Sequence, residues 1–202
     1  MHMTQLLLWQ MYMSTGTMLT VALCPHLVDV SFGDDVHAIG AAALAADLLA
    51  AFKDIGVVTL VNHNLPPELN ERTFEMSRRL FTLTPDQKAK YAWESPESNR
   101  GYLAMGQELL DGGQPDWKET FEIGNEAETT FKTPWPHDEL PDFRATMLEY
   151  FAAADLVHLD VLRCLAIAMG LGEEFFTPLC NGNHQNLRLL HFRRVVWLHQ
   201  QL

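Results

Sequence analysis

The feature that most constrains this chain is the hydrophobic period running from Asp142 to Met169. Phe143, Met147, Tyr150, Phe151, Ala154, His158, Val161, Leu162, Leu165 and Met169 fall on one stripe at helical spacing, and Gly170 closes the run. A helix of that length with one apolar stripe must lie along a broad apolar surface, so the rest of the chain has to supply one. Much of the chain ahead of it is not helical in pattern. Val57 to Val61 is an unbroken, largely β-branched apolar run, the pattern of a buried strand, and Leu27 to Val30, Gly101 to Ala104, Glu119 to Ile123 and Asn186 to Phe192 also read as strands. Ala38 to Phe52 is rich in Ala and Leu and reads as a helix, with Gly56 just beyond it. The pattern is therefore mixed, α/β (α+β), rather than all-helical or all-β.

Local signals sharpen several boundaries. Pro66-Pro67 suits the first turn of a second helix, whose positions Leu69, Thr73, Met76 and Leu80 recur at helical spacing. Thr84-Pro85-Asp86-Gln87 has the form of a capping box, in which the threonine hydroxyl takes an early amide and Gln87 reaches back to the cap, and a short helix to Tyr91 follows. Glu173 to Phe176 reads as a helical turn and Asn181-Gly182-Asn183 as a loop.

Composition excludes several classes. With 48% hydrophobic and 20% charged residues over 202 positions the chain is globular in character. Its formal net charge of −12 repels phosphate backbones and anionic lipid, which argues against nucleic acid and membrane surfaces as partners and leaves small molecules. The three cysteines, Cys24, Cys164 and Cys180, are far apart and form no CxxC, so neither a disulfide framework nor a structural zinc site is expected and a reducing, cytoplasmic setting is the default. The apolar stretch from Gln5 to Cys24 has no Lys or Arg before it, as a signal peptide would want, and Ser14-Thr15-Gly16-Thr17 interrupts it as a spanning helix.

Six motifs, taken in order, carry a family resemblance. They are Val61-Asn62-His63-Asn64-Leu65-Pro66, then Leu80-Phe81-Thr82-Leu83-Thr84-Pro85-Asp86-Gln87-Lys88, Arg100-Gly101-Tyr102, Asp116-Trp117-Lys118-Glu119-Thr120-Phe121, Trp135-Pro136 ahead of the long helix, and Leu187-Arg188-Leu189-Leu190-His191-Phe192. In this order the chain resembles the front half of a non-haem Fe(II), 2-oxoglutarate dioxygenase of the isopenicillin N synthase-like group. The resemblance implies an α/β portion leading into a double-stranded β-helix, or jelly roll, here incomplete, with the long helix as a backbone against the larger sheet. Asn64 stands where the family usually has Gly; if that position needs a positive φ, Asn is the next most tolerant residue. By this reading residues 1–24 are an unmatched leader, 25–192 the dioxygenase N-terminal domain with the first core strand, and 193–202 an unmatched tail.

The chemistry implied by the resemblance is an iron held by two histidines and a carboxylate on one face, with 2-oxoglutarate and oxygen on the other. In the family these ligands form H-x-D and a distant His, followed by an R-x-S whose Arg pairs with 2-oxoglutarate, all C-terminal to the L-R-L-x-x-Y strand. Only Arg193 to Leu202 follows that strand here, with no H-x-D and no R-x-S. The expectation is therefore no catalytic, cofactor-binding or metal-ligating residue in this chain, no cofactor of its own, and Fe(II) and 2-oxoglutarate for the full-length family.

Two local matches need separate readings. His158-Leu159-Asp160 spells H-x-D inside the long helix, where residues two apart point roughly 200° from one another, so a buried, hydrogen-bonded His158 and a polar-face Asp160 are expected. His137-Asp138-Glu139 spells H-x-E among prolines and reads as loop. His63 reads as a structural residue at a strand end, and neither His184 nor His191 matches a ligand position. Phe192 replaces a family tyrosine whose phenol helps hold 2-oxoglutarate in many members, and Arg193 and Arg194 replace prolines.

The function expected is an N-terminal fragment of such an oxygenase, acting on a small molecule in its full-length form and inactive as this chain. A splice variant, a truncated gene model or a pseudo-enzyme would each give that pattern. A non-catalytic interaction or regulatory module of the same descent, an unrelated helical binding protein, and the oxidase branch that does not use 2-oxoglutarate stay open. Unpaired strand edges would favour self-association.

Overall fold

The computed structural model describes residues 8–13, 27–29, 41–54, 56–109, 112–180 and 185–192. Among these, six strands and four α-helices follow in the order β1 (Leu8–Met13), β2 (Leu27–Asp29), α1 (Ala41–Asp54), β3 (Thr59–Val61), α2 (Pro67–Thr82), α3 (Pro85–Ala89), β4 (Gly101–Leu103), β5 (Lys118–Gly124), α4 (Phe143–Ala168) and β6 (Asn186–Phe192). The chain divides into two compact units, one of Met1–Met18, Phe74–Arg144 and Asn183–Leu202, the other of Leu19–Thr73 and Ala145–Gly182.

The second unit contains a β–α–β crossover. β2 and β3 pair in parallel, Leu27 opposite Thr59 through Asp29 opposite Val61, and the connection between parallel strands runs through α1, as such pairs require. Val28, Ala45, Leu48 and Cys164 form its buried core, with Leu44, Val58, Leu60, Leu165 and Ile167 packed around them. The Val57–Val61 run is a shorter and less buried strand than its sequence suggests. Only Thr59–Val61 pairs, all three residues are half-buried, and Val57 is 53% exposed. Val58 and Leu60, two apart and so on one face, pack against this core, while Val57 lies outside the paired stretch.

After β3 the chain turns through two asparagines in the left-handed region, Asn62 at φ 57° and Asn64 at φ 60°. Position 64 therefore does need the positive φ that its glycine-like role implies. Asn62 Nδ2 donates to Asp29 Oδ2 at 2.9 Å, and the Leu65 amide donates to His63 Nδ1 at 3.3 Å. His63 is thus part of the turn.

The first unit is built on a four-stranded mixed sheet in the order β1-β6-β5-β4. β5 pairs antiparallel with both β4 and β6, and β1 runs parallel to β6, with Leu8 opposite Asn186 and Met13 opposite His191. The segment read as an unmatched leader thus contributes a strand, because β6 would otherwise present an open row of backbone donors and acceptors. α3 carries the expected capping box: the Gln87 amide donates to Thr84 Oγ1 and the Thr84 amide to Gln87 Oε1. Gly101, at φ +98°, is obligatory, since a Cβ there would meet the Tyr91 carbonyl oxygen at 2.4 Å.

α4 occupies nearly the whole predicted span. Phe143, Met147, Tyr150, Ala154 and His158 on its stripe are buried, while Met169, just past its end, is 56% exposed. Glu173–Phe176 is turn, and the regular piece that follows is a 3-10 helix at Thr177–Cys180. Val30, Ala38 to Gly40 and Asn181 to His184 lie outside the described residues. No helix among the described residues is long and apolar enough to cross a membrane.

Candidate functional site

The β5–β6 ladder sorts its side chains onto two faces, because neighbours along a strand point to opposite sides. Glu119 opposite His191, Phe121 opposite Leu189 and Ile123 opposite Leu187 share one face. Lys118 opposite Phe192, Thr120 opposite Leu190, Glu122 opposite Arg188 and Gly124 opposite Asn186 share the other. Every residue of β5 is buried, so each polar group on it needs a partner.

The first face is apolar except at one end. Phe121, Ile123, Leu187 and Leu189 are essentially inaccessible, and Phe121 meets Phe143 edge-on with centroids 5.5 Å apart. At its end Glu119 gathers three donors. Lys88 Nζ lies 2.7 Å from one carboxylate oxygen, which the Tyr102 hydroxyl also contacts, and His191 Nδ1 lies 2.8 Å from the other. Lys88 also donates to the Phe81 carbonyl oxygen at 3.1 Å, and Phe81 stacks on the His191 ring at 5.4 Å. Burial pushes the Glu119 carboxyl up, but the bonds from His191, Lys88 and Tyr102 outweigh it and leave its pKa below the ordinary value. Burial and Glu119 together raise the Tyr102 phenol. The motif residues Lys88, Tyr102, Glu119 and His191 are thereby a closed ionic network that ties α3 and β4 to the sheet.

The second face is mostly polar, with Leu190 and Phe192 its large apolar members. Arg188 points Nε at Glu122 Oε1 and reaches Glu108 Oε2 with Nη2 at 2.6 Å. Lys118 Nζ lies 3.2 Å from the same Glu108 oxygen and also pairs with Asp116. Asn186 Nδ2 donates to Glu122, and Arg100 Nη1 lies 3.4 Å from Asn186 Oδ1. Arg100 reaches across Gly124, where a Cβ would collide with its guanidinium at 1.9 Å. Burial raises the Glu122 carboxyl to about 7; Arg188 and Asn186 pull it down only part of the way, and Glu108 opposes them. Burial lowers Lys118 less than its bonds to Asp116 and Glu108 raise it. Phe192 opens onto this face and is 36% exposed, so the position that lacks the family hydroxyl lies on the side of Arg188.

The family model described as "non-haem dioxygenase in morphine synthesis N-terminal" matches residues 27–142. The chain belongs to this non-haem dioxygenase family. It is 34% identical over 170 residues to the 2-oxoglutarate-dependent dioxygenase ecdK of Aspergillus rugulosus, covering 76% of this chain and 51% of that protein. It is 32% identical over 160 residues to the proline hydroxylase buaE of Petromyces alliaceus, covering 76% and 50%. Among solved structures, a full-length Neurospora crassa protein in complex with alpha-KG superposes with a TM-score of 0.75 at 32% identity, covering 84% of this chain and 54% of that one. The same Neurospora protein has been solved with alpha-KG and thymine; that complex gives a TM-score of 0.71 at 31% identity, covering 82% of this chain and 54% of that one. The chain spans about half the length of the curated relatives it matches. Its fold is therefore the mixed helix-and-sheet N-terminal portion of a jelly-roll oxygenase.

The iron implied by this dioxygenase family finds no ligand set in the described residues, where no three His, Cys, Asp or Glu side chains are grouped to hold a metal. The two local matches are engaged elsewhere. His158 is 3% exposed with Nδ1 3.4 Å from Asp155, while Asp160 pairs with Arg163 at 3.0 Å. Glu139 binds Lys90 at 2.7 Å and the Tyr91 hydroxyl, whose pKa is pushed up to about 12 by burial and by that carboxylate. His184, Arg193 and Arg194 lie outside the described residues. Sequence motifs located the strands but not the ion network on the second face. Asp116, Lys118 and Arg188 lie inside quoted motifs, yet nothing in the sequence joins them to Glu108 or Glu122. An alternation count puts Lys118, Thr120 and Glu122 together on one face of β5 and Arg188 and Leu190 together on one face of β6, without saying which residue meets which. A separate groove of about 410 Å³ is lined by Ala42, Ala46, Leu49, Ala50, Ile167 and Ala168, with Lys53 its sole charge, and has no converging polar groups.

Proposed function

We propose that this chain supplies the N-terminal domain and early core strands of an Fe(II)/2-oxoglutarate-dependent oxygenase acting on a small molecule, and that by itself it neither binds iron specifically nor turns over 2-oxoglutarate. The observation that carries the reading is the β5–β6 ladder: it bears the family's strand motifs and lines up a polar face, yet Lys118 and Arg188 on that face each have carboxylate partners within the chain. Such a face can frame a substrate. Among the described residues no three His, Cys, Asp or Glu side chains are grouped to hold an iron, and the central arginine of the face is held by Glu122 and Glu108 in this chain. The relatives' names support the reaction class, and the thymine complex of the Neurospora crassa protein supports the substrate class. The anionic composition agrees, and the scattered cysteines support a cytoplasmic setting.

The test is anaerobic Fe(II) titration of the purified chain beside a succinate-release assay. The expected result is no stoichiometric iron and no succinate above the protein-free rate. Stoichiometric iron with succinate formation would overturn the proposal.

A further inference from the structure

Glu108 is not a residue of the sheet. It lies on the arm that leaves β4, held there by backbone bonds from the Gly106 amide to the Asp116 carbonyl oxygen at 3.1 Å and from the Asp116 amide to the Glu108 carbonyl oxygen at 2.8 Å. One oxygen of its side chain, Oε2, stands between Arg188 Nη2 and Lys118 Nζ. Those two cations are sunk into the face, with side chains 14% and 10% exposed, whereas the Glu108 side chain is 32% exposed. Arg188 is thus clamped between two carboxylates of different kinds. Glu122 is 2% exposed and lies on β5, whereas Glu108 comes from the arm beyond β4 and is 32% exposed. The chain neighbours of Glu108 and Lys118, Leu109 and Trp117, are exposed at 62% and 57%, and the Trp117 ring lies against Gly106 of the same arm.

We propose that Lys118 and Arg188 form a recognition site for a small molecule bearing a carboxylate and an apolar body, and that Glu108 is its internal occupant, displaced when that molecule binds. The inference rests on the reading of this face as belonging to a small-molecule oxygenase and gives the substrate class. Two buried cations sharing one oxygen make a site that a carboxylate fits and an ammonium does not. Asp116 and Glu122 stay on their cations when Glu108 leaves, so the incoming anion replaces one negative charge by another and the local balance, which includes Arg100, is unchanged. Leu109 and Trp117 provide the surface for the apolar body.

The experiment uses the 202-residue chain with benzoate, benzyl alcohol and benzylamine as probes, followed by ligand-observed NMR titration, with circular dichroism confirming that each variant is folded. Benzoate is expected to bind about tenfold more tightly than the alcohol or the amine. Glu108→Gln, which removes the competitor from a half-exposed position, should tighten benzoate about fivefold, and Lys118→Met should weaken it about fivefold. Benzoate binding equally to wild type and Glu108→Gln, benzylamine matching benzoate, or no benzoate binding to either protein would each overturn the proposal. Iron binding with succinate release would instead overturn the reading in the previous subsection and leave these affinities as they are.

Discussion

The two faces of the β5–β6 ladder handle buried charge in opposite ways. At Glu119 one carboxylate receives three donors, and its pKa falls below the ordinary value although burial acts against it. At Glu122, on the same strand but facing the other way, burial prevails over the pull of Arg188 and Asn186, the Glu108 charge adds to it, and the carboxyl rises to about 7. The first arrangement is closed: every group has a settled partner and nothing is left to exchange. The second is contested: one Glu108 oxygen is shared by Arg188 and Lys118, and each of those cations has a second carboxylate. Closed networks hold a fold together, whereas contested ones keep the incomplete satisfaction expected where a ligand is to be bound.

The sharpest way to break this comparison is to remove Lys88. Lys88→Met leaves Glu119 buried with only Tyr102 and His191 and should destabilise the chain by about 3–5 kcal/mol, measured by urea denaturation at neutral pH. A loss under about 1 kcal/mol would mean that water reaches Glu119 and that the network is not closed.

A somewhat smaller effect separates the two carboxylates by the sign of their pH dependence. The folded-state pKa of Glu122 is raised from 4.5 to about 7, so the folded chain holds a proton that the unfolded chain has released. Its contribution is most favourable below the unfolded value and declines as pH rises from about 4.5 to 7, by about 3 kcal/mol at most. Glu119 is shifted down, so its contribution is present above the unfolded value and lost as pH falls through the folded one. Glu122→Gln should therefore flatten the decline between about pH 4.5 and 7 and leave the acid limb in place. Thermal denaturation of both proteins across this range reads it directly, and an unchanged slope in the variant would show that Glu122 is not the titrating group.

How much of this was legible in the sequence differs between the faces for a physical reason. The capping box at Thr84, the positive φ at Asn64 and the stripe through His158 are set by residues within a few positions of one another, and local chemistry announces them. The family motifs likewise placed Lys88, Tyr102 and Glu119 in the fold. The contested network depends on strand register and on a loop arm that brings Glu108 to Arg188 from 80 positions away. Register is a property of pairing, which a one-residue slip would invert, so no local pattern contains it. The same limit explains Val57, apolar in sequence and exposed in the structure: what packs over its face of the chain decides its burial, and that is not written in the run itself. The pairing of β1 with β6 is non-local too, and it moves that edge of the sheet from β6 to β1.

The smallest expected effect concerns Thr120, which lies between Lys118 and Glu122 on the contested face. Its hydroxyl is buried with no hydrogen-bond partner among the described residues, and the residue is 1% exposed. A closed packing surface would place valine there, since valine has nearly the same shape and no group to desolvate. Thr120→Val should accordingly be neutral or raise stability by up to about 1 kcal/mol, a sign opposite to the loss expected for Lys88→Met. The measurement is the urea midpoint at neutral pH, with the denaturant slope required to stay constant so that the shift reports stability alone. If the variant instead lost about 1 kcal/mol or more, the hydroxyl would have a partner in the folded chain, and the second face would be as fully satisfied as the first. If it gained stability while benzoate affinity fell, the threonine would be retained for a ligand at a cost to the fold, which is the behaviour that distinguishes a binding face from a packing face.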